Sequence, residues 1–142
     1  MIADAASLSP VHIDDLREAD TGELHGLTGV EMREQYPEFM KLWQKDAGTA
    51  RMPGGESLIE VQNRAWDAVT RLHQQHSNET IVAVSHNFTI LTIICEVLDM
   101  PLNNFRRLKQ GLCAITRIEM TDERHVLLSL NETAHLRESC NE

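Results

Sequence analysis

Ile81-Val82-Ala83-Val84-Ser85-His86-Asn87-Phe88-Thr89-Ile90 is an apolar run that ends in a histidine just where a second apolar run begins. Its first residues are β-branched or small and are bounded upstream by Ser77-Asn78-Glu79. Too short for an ordinary helix, they predict a buried parallel strand. Asn87 to Leu98 then predicts a helix. A strand feeding a helix constrains the chain to an α/β fold, in which ligands gather at the carboxyl ends of strands. Backbone N–H groups at the following helix N-terminus favour anions there. His86 stands at such an end, where an imidazole can hold a phosphate oxygen reversibly by a charge-assisted hydrogen bond. Taken alone, the run is a weak signal, and a strand-end histidine with no ligand is the commoner case.

The elements on either side follow from capping and spacing. Thr28-Gly29-Val30-Glu31 and Ser57-Leu58-Ile59-Glu60 both match the capping box, so a helix starts at each. Val30, Tyr36, Phe39, Met40 and Trp43 supply the buried side of the first, which Pro37 divides into two pieces. Leu58, Val61, Ala65, Ala68, Val69 and Leu72 form the apolar stripe of the second. Val11-His12-Ile13 reads as a strand fragment, and Asn104 to Leu108 as a short helix. Leu112 to Met120 and His125 to Leu130 flank Thr121-Asp122-Glu123 as an antiparallel hairpin.

Length and charge bound the function. A chain of 142 residues is one domain with room for a real core. A formal charge of −9 argues against nucleic acid or an anionic membrane as partner, while leaving an anionic small molecule open, because the local field of a pocket decides that. No apolar segment approaches the roughly 20 residues of a membrane span, and the N-terminus has no basic region before an apolar one, so a cytoplasmic location is expected. Cys95, Cys113 and Cys140 lack metal-site spacing; Cys95 and Cys113 read as small core residues. Gly54-Gly55 reads as a tight turn that positions the Ser57 cap rather than as a phosphate cradle. Arg106, Arg107 and Lys109 read as a solvated helix face, and His73 and His76 as surface histidines without a third metal ligand.

Several anchors then fall in one order. Leu16-Arg17-Glu18, Gly22, Gly26-Leu27-Thr28, Tyr36-Pro37-Glu38, Trp43 and Pro53-Gly54-Gly55-Glu56-Ser57 precede Val84-Ser85-His86, and Leu130-Asn131-Glu132-Thr133-Ala134-His135-Leu136 follows near the end. This series resembles the histidine phosphatase superfamily, also called phosphoglycerate mutase-like, over nearly the whole chain. The tail is similar to the broad-specificity phosphatase branch. The resemblance implies a three-layer α/β/α fold with a mixed sheet and a C-terminal antiparallel hairpin, residues 1–142 being the C-terminal two-thirds of it. It further implies hydrolysis of a small phosphomonoester through a phosphohistidine, with no metal and no organic cofactor.

By that resemblance Glu18 is the general acid that protonates the leaving oxygen, although on composition alone it reads as a solvated carboxylate or a partner for Arg17. His86 is the family's second histidine, which binds the transferring phosphoryl group. Asn87 stands where glycine is common, and as asparagine it tolerates a left-handed backbone. His25 stands where glutamate is common and Leu24 where tryptophan is usual, both on the substrate-side loop. The family's opening strand carries an Arg-His-Gly triplet with the attacking histidine, and a second arginine follows. Neither appears in these 142 residues, where the sole His-Gly pair, His25-Gly26, follows Leu24. Met1 to Ala6 resembles the end of the helix that carries the second arginine.

Three outcomes are therefore carried forward. The chain is the larger part of a phosphatase or mutase-type enzyme, a phosphate-binding or scaffold module without turnover, or a fragment completed by another chain. The family's first strand normally lies in the middle of the sheet and its loss exposes an apolar edge, so a homo-oligomer through that edge is also expected.

Overall fold

The computed structural model describes residues 7–136. Met1 to Ala6 and Cys140 lie outside that range. A short 3-10 turn, Asp14–Leu16, opens the described chain, and a second, Gly22–Leu24, follows. Both capping boxes form as expected. Thr28 accepts from the Glu31 amide while Glu31 reaches back to the Thr28 amide, starting α1, Gly29–Gln35. Ser57 and Glu60 do the same at α3, Leu58–Gln75. Pro37 sits at the first position of α2, Pro37–Lys45, where its missing N–H costs nothing, and so splits the apolar stretch into two helices. α4 runs Asn87–Val97, followed by a 3-10 turn at Leu102–Arg107.

Helices α3 and α4 pack on each other, and the 14–16 turn seats against α3. Leu58, Val61, Ile94 and Cys95 are fully buried between them, as the α3 stripe requires. A second cluster joins Leu16, Ala65, Ala68, Ile93 and Val97. Aromatic edges close the other flank: Trp43 lies edge-on to Phe88 and to Phe105, and the Arg106 guanidinium covers both the Trp43 and Phe105 rings. Arg106 is thus more than a solvated charge.

The hairpin is present as β1, Ile115–Met120, and β2, His125–Glu132, paired antiparallel with Met120 opposite His125 and Ile118 opposite Leu127. The 121–124 connection is closed by the Thr121 amide donating to the Arg124 carbonyl.

Four expectations are corrected. Among the described residues the sheet has these two strands alone, and residues 79–86 form no strand. No backbone hydrogen bond joins 80–85 to another described residue, and Val82 and Val84 are 72% and 77% exposed. The reason is that a strand exists only through a neighbour, and no described segment lies alongside to pair with it. Val11 to Ile13 is likewise unpaired and gives way to the 14–16 turn. Cys113 is exposed at a positive φ of 55° in the bend before β1, whereas Cys95 is buried as expected and its thiol pKa is pushed up to about 11 by that burial. Asn87 is no left-handed turn residue: it is the first residue of α4 and is absent from the positive-φ positions, because His86 takes the extended cap conformation instead.

The exposed run makes a direct prediction. Amides of Ile81 to Val84 in the purified chain are expected to exchange with deuterium at near-unprotected rates, while those of Ile94 and Cys95 are strongly protected. Protection of the 81–84 amides that disappears on dilution reveals pairing between copies, and Val82→Lys with Val84→Lys is then expected to abolish it. Among the described residues no helix is long and apolar enough to cross a membrane.

Candidate phosphoester site

The loop at 14–20 meets the start of α4 through one carboxylate. Glu18 Oε1 accepts from the amides of Ala19 at 2.9 Å and Thr89 at 3.3 Å, and Oε2 accepts from the Phe88 amide at 3.3 Å. Phe88 and Thr89 are the second and third residues of α4, whose N-cap, His86, supplies no capping side chain. Glu18 therefore occupies the anion-favouring end of a helix from outside it, satisfying donors that the cap leaves open. Ser85 Oγ donates to the Leu16 carbonyl at 2.7 Å and Thr89 Oγ1 to the Arg17 carbonyl at 2.6 Å, so the loop is laced to both sides of His86. The His86 ring is exposed and makes no hydrogen bond with a described residue.

Behind Glu18 stands a residue pair that sequence reasoning did not single out. Arg64 on α3 holds Glu56 bidentately, Nε to Oε1 at 2.8 Å and Nη2 to Oε2 at 2.9 Å, with 12% and 15% of the two side chains exposed. The same guanidinium donates to the carbonyls of Asp15 at 2.6 Å, Arg17 at 3.0 Å and Glu18 at 3.1 Å. Glu56 in turn accepts from the Asp20 amide and from Arg17. One planar cation thus fixes the path of the loop that carries Glu18, a task suited to the five-donor fork of arginine. The signal was available: Arg64 falls three residues after Val61 and four before Ala68, inside a buried stripe, where a cation demands a carboxylate and carbonyls.

Gly22 and Gly55 close the junction. A Cβ on Gly55 would lie 2.2 Å from the Asp20 carbonyl, and one on Gly22, at φ +51°, 2.2 Å from the Pro53 carbonyl. The Glu23 amide donates to Pro53 and the Glu56 amide to Asp20, both at 2.8 Å. Gly54-Gly55 is the turn expected of it.

The Arg64 guanidinium, bonded to Glu56, holds the Glu56 carboxyl pKa below its ordinary value of 4.5. The Ser57 amide, and then Arg51, bring Glu60 down to about 2. Carboxyls lowered in the folded state stabilise it above their unfolded pKa, and that contribution is lost as pH falls through the folded value. Stability is therefore expected to drop on acidification from about pH 4.5 towards 2, and Glu56→Gln to flatten that acid limb in urea titrations at stepped pH. An unchanged limb contradicts the assignment.

Of the sequence-predicted residues, Glu18 reaches the start of α4, where His86 is the N-cap and Asn87 the first residue. His25 follows the 22–24 turn, exposed, beside Leu24, which is buried. Among the described residues no hydrogen bond or ion pair ties His25 to Glu18 or His86. His73 and His76 bond Asp122 and Glu79, and His135 reaches the Cys113 carbonyl. Among the described residues no three histidines, cysteines or carboxylates cluster as a metal site. A concavity of about 440 Å³ lined in part by Asp46, Glu96 and Asp99 contains none of the residues of the anion corner.

Comparison with known proteins shows the family. Residues 1–133 match the histidine phosphatase superfamily (branch 1). Phosphoserine phosphatase 1 of Hydrogenobacter thermophilus is 33% identical over 137 residues, covering 96% of this chain and 65% of its own. Bifunctional protein Rv2228c of Mycobacterium tuberculosis is 31% identical over 135 residues, covering 94% and 37%. Among solved structures, Bacillus stearothermophilus YhfR superposes with a TM-score of 0.86 at 22% identity, over 95% of this chain and 67% of that one. The phosphate complex of mycobacterial glucosyl-3-phosphoglycerate phosphatase Rv2419c gives 0.79 at 26% identity, over 94% and 70%. The chain thus spans about two thirds or less of the length of these curated relatives. Backbone path, anchor order and sequence match together make this chain a member of the histidine phosphatase superfamily, with the phosphoglycerate mutase-like α/β fold.

Proposed function

We propose that the corner formed by Glu18, His86 and the first amides of α4 is the phosphoester-binding half of a histidine phosphatase site. His86 receives a phosphate oxygen, and Glu18, seated beside it on the Phe88 and Thr89 amides, is the acid that hands a proton to the leaving oxygen. In a complete site an imidazole attacks phosphorus, the P–O bond to the leaving group breaks, and water later cleaves the P–N bond. The 142 residues hold no Arg-His-Gly triplet to make that attack, so by themselves they bind phosphate without turnover. The observation that carries this is the Glu18 carboxylate lodged on the Phe88 and Thr89 amides, directly after His86.

Calorimetric titration with inorganic phosphate and with phosphomonoesters is expected to show binding that His86→Ala removes. No heat with a chain shown folded by circular dichroism overturns the reading.

The same bonds favour a second reading, in which Glu18 is a tertiary helix cap within a non-catalytic scaffold. Glu18→Ala then lowers stability by about 1 kcal/mol through the lost cap, read in a thermal melt, and leaves phosphate affinity unchanged. Under the first reading that affinity changes as well.

A further inference from the structure

Next to the anion corner lies a small cavity of about 120 Å³ whose lining includes Leu24, Met32, Met40, Trp43, Met52 and Phe88. Thr21 is the one polar residue among its lining residues. It shares Phe88 with the corner, since the Phe88 amide donates to Glu18 while the Phe88 ring stands edge-on to Trp43, centroids 6.1 Å apart. Through Phe88 the cavity and the corner adjoin.

We propose that this cavity receives the leaving group of the phosphomonoester and that the group is an aryl ring; the inference rests on the phosphoester reading above. Three observations select that occupant. The volume is close to the roughly 150 Å³ of apolar space known to hold a benzene molecule. Two aromatic rings already at right angles offer edge and face to a third. Three thioethers, from Met32, Met40 and Met52, line the space with flexible, polarisable groups that close around a flat ring. By contrast, the ammonium and carboxylate of a phosphorylated amino acid find no ionic partner among the lining side chains, and burying either unpaired is costly. The nearby Tyr36 hydroxyl donates to Glu23, outside the lining.

The methionines make the test direct. The sequence has six; Met32, Met40 and Met52 line the cavity, while Met100 and Met120 do not. With methyl-13C methionine and 15N labels, the 142-residue chain is titrated with phenyl phosphate, O-phosphoserine and inorganic phosphate. All three are expected to shift the Phe88 and Thr89 amides. Phenyl phosphate alone is expected to shift the Met32, Met40 and Met52 methyls by ring current, leaving Met100 and Met120 in place. It is also expected to bind about tenfold more tightly than O-phosphoserine, a modest return for burying a ring. Amide shifts with all three anions but unmoved cavity methyls overturn the aryl assignment and leave the phosphate site standing. Amides that respond to no anion overturn the phosphate site itself. Methyl shifts produced equally by phenol without amide shifts show a ring-binding cavity unconnected to phosphate, which also overturns the proposal.

Discussion

Phenyl phosphate incubated with the 142-residue chain is expected to be hydrolysed on the order of 10⁶-fold more slowly than by a complete histidine phosphatase assayed beside it, the scale on which removing the nucleophile from a concerted catalytic unit acts. That factor corresponds to about 8 kcal/mol of barrier. The chain has seven histidines, and five of them are already engaged in the proposed account. His73 and His76 are bonded to Asp122 and Glu79, His125 stacks edge-on against Trp66, and His135 bonds the Cys113 carbonyl. In the proposed site His86 is given to the phosphate. An acid without a nucleophile can assist direct attack by water, but that route lacks the oriented imidazole that makes the two-step path fast. Turnover within 10³-fold of the complete enzyme, in protein freed of contaminating phosphatase, contradicts this account. It would require His12 or His25 to act, and His25→Ala would then remove the activity.

Arg64→Ala carries the largest structural effect. It strips a mostly buried guanidinium of five hydrogen bonds, two to Glu56 and three to the carbonyls of residues 15, 17 and 18, and leaves Glu56 without its main counter-charge. Breaking a buried ion pair on one side costs about 3 to 5 kcal/mol, and the partial exposure here places the value near 3. For a domain of this size that lowers Tm by about 10 °C. Arg64→Lys restores little, because an ammonium cannot span the carboxylate and three carbonyls at once. Replacing both partners, Arg64→Met with Glu56→Leu, is expected to recover stability without recovering phosphate affinity, since the loop bearing Glu18 then loses its guide. A Tm shift under 2 °C for Arg64→Ala would show that the clamp is idle.

How much of this was legible depended on how local each cause is. The helix starts at Thr28 and Ser57, the break at Pro37 and the 121–124 hairpin turn each follow from a few adjacent residues, and each appears where the sequence placed it. Residues 81–84 carry the composition of a central strand, yet pairing is a property of two segments and no described neighbour supplies the second. Asn87 misled for a related reason: its tolerance of positive φ mattered only if the turn demanded it, and His86 in an extended cap removed the demand. In the site, order along the chain brought Glu18 and His86 together. The Arg64 clamp was hidden because its partners lie 8 residues away at Glu56 and 46 to 49 residues away along the loop. Gly54-Gly55 was read as a turn former, but what fixes Gly55, and Gly22 beside it, is contact between two loops at 2.2 Å of a Cβ neither has.

The central claim concerns the end of α4, and backbone 15N–1H spectra of the chain titrated with inorganic phosphate test it most directly. The Phe88 and Thr89 amides, which now donate to Glu18, are expected to move together and saturably in the unmodified chain and to stay still in His86→Ala. Phosphate that shifts amides elsewhere while these two remain fixed would contradict it.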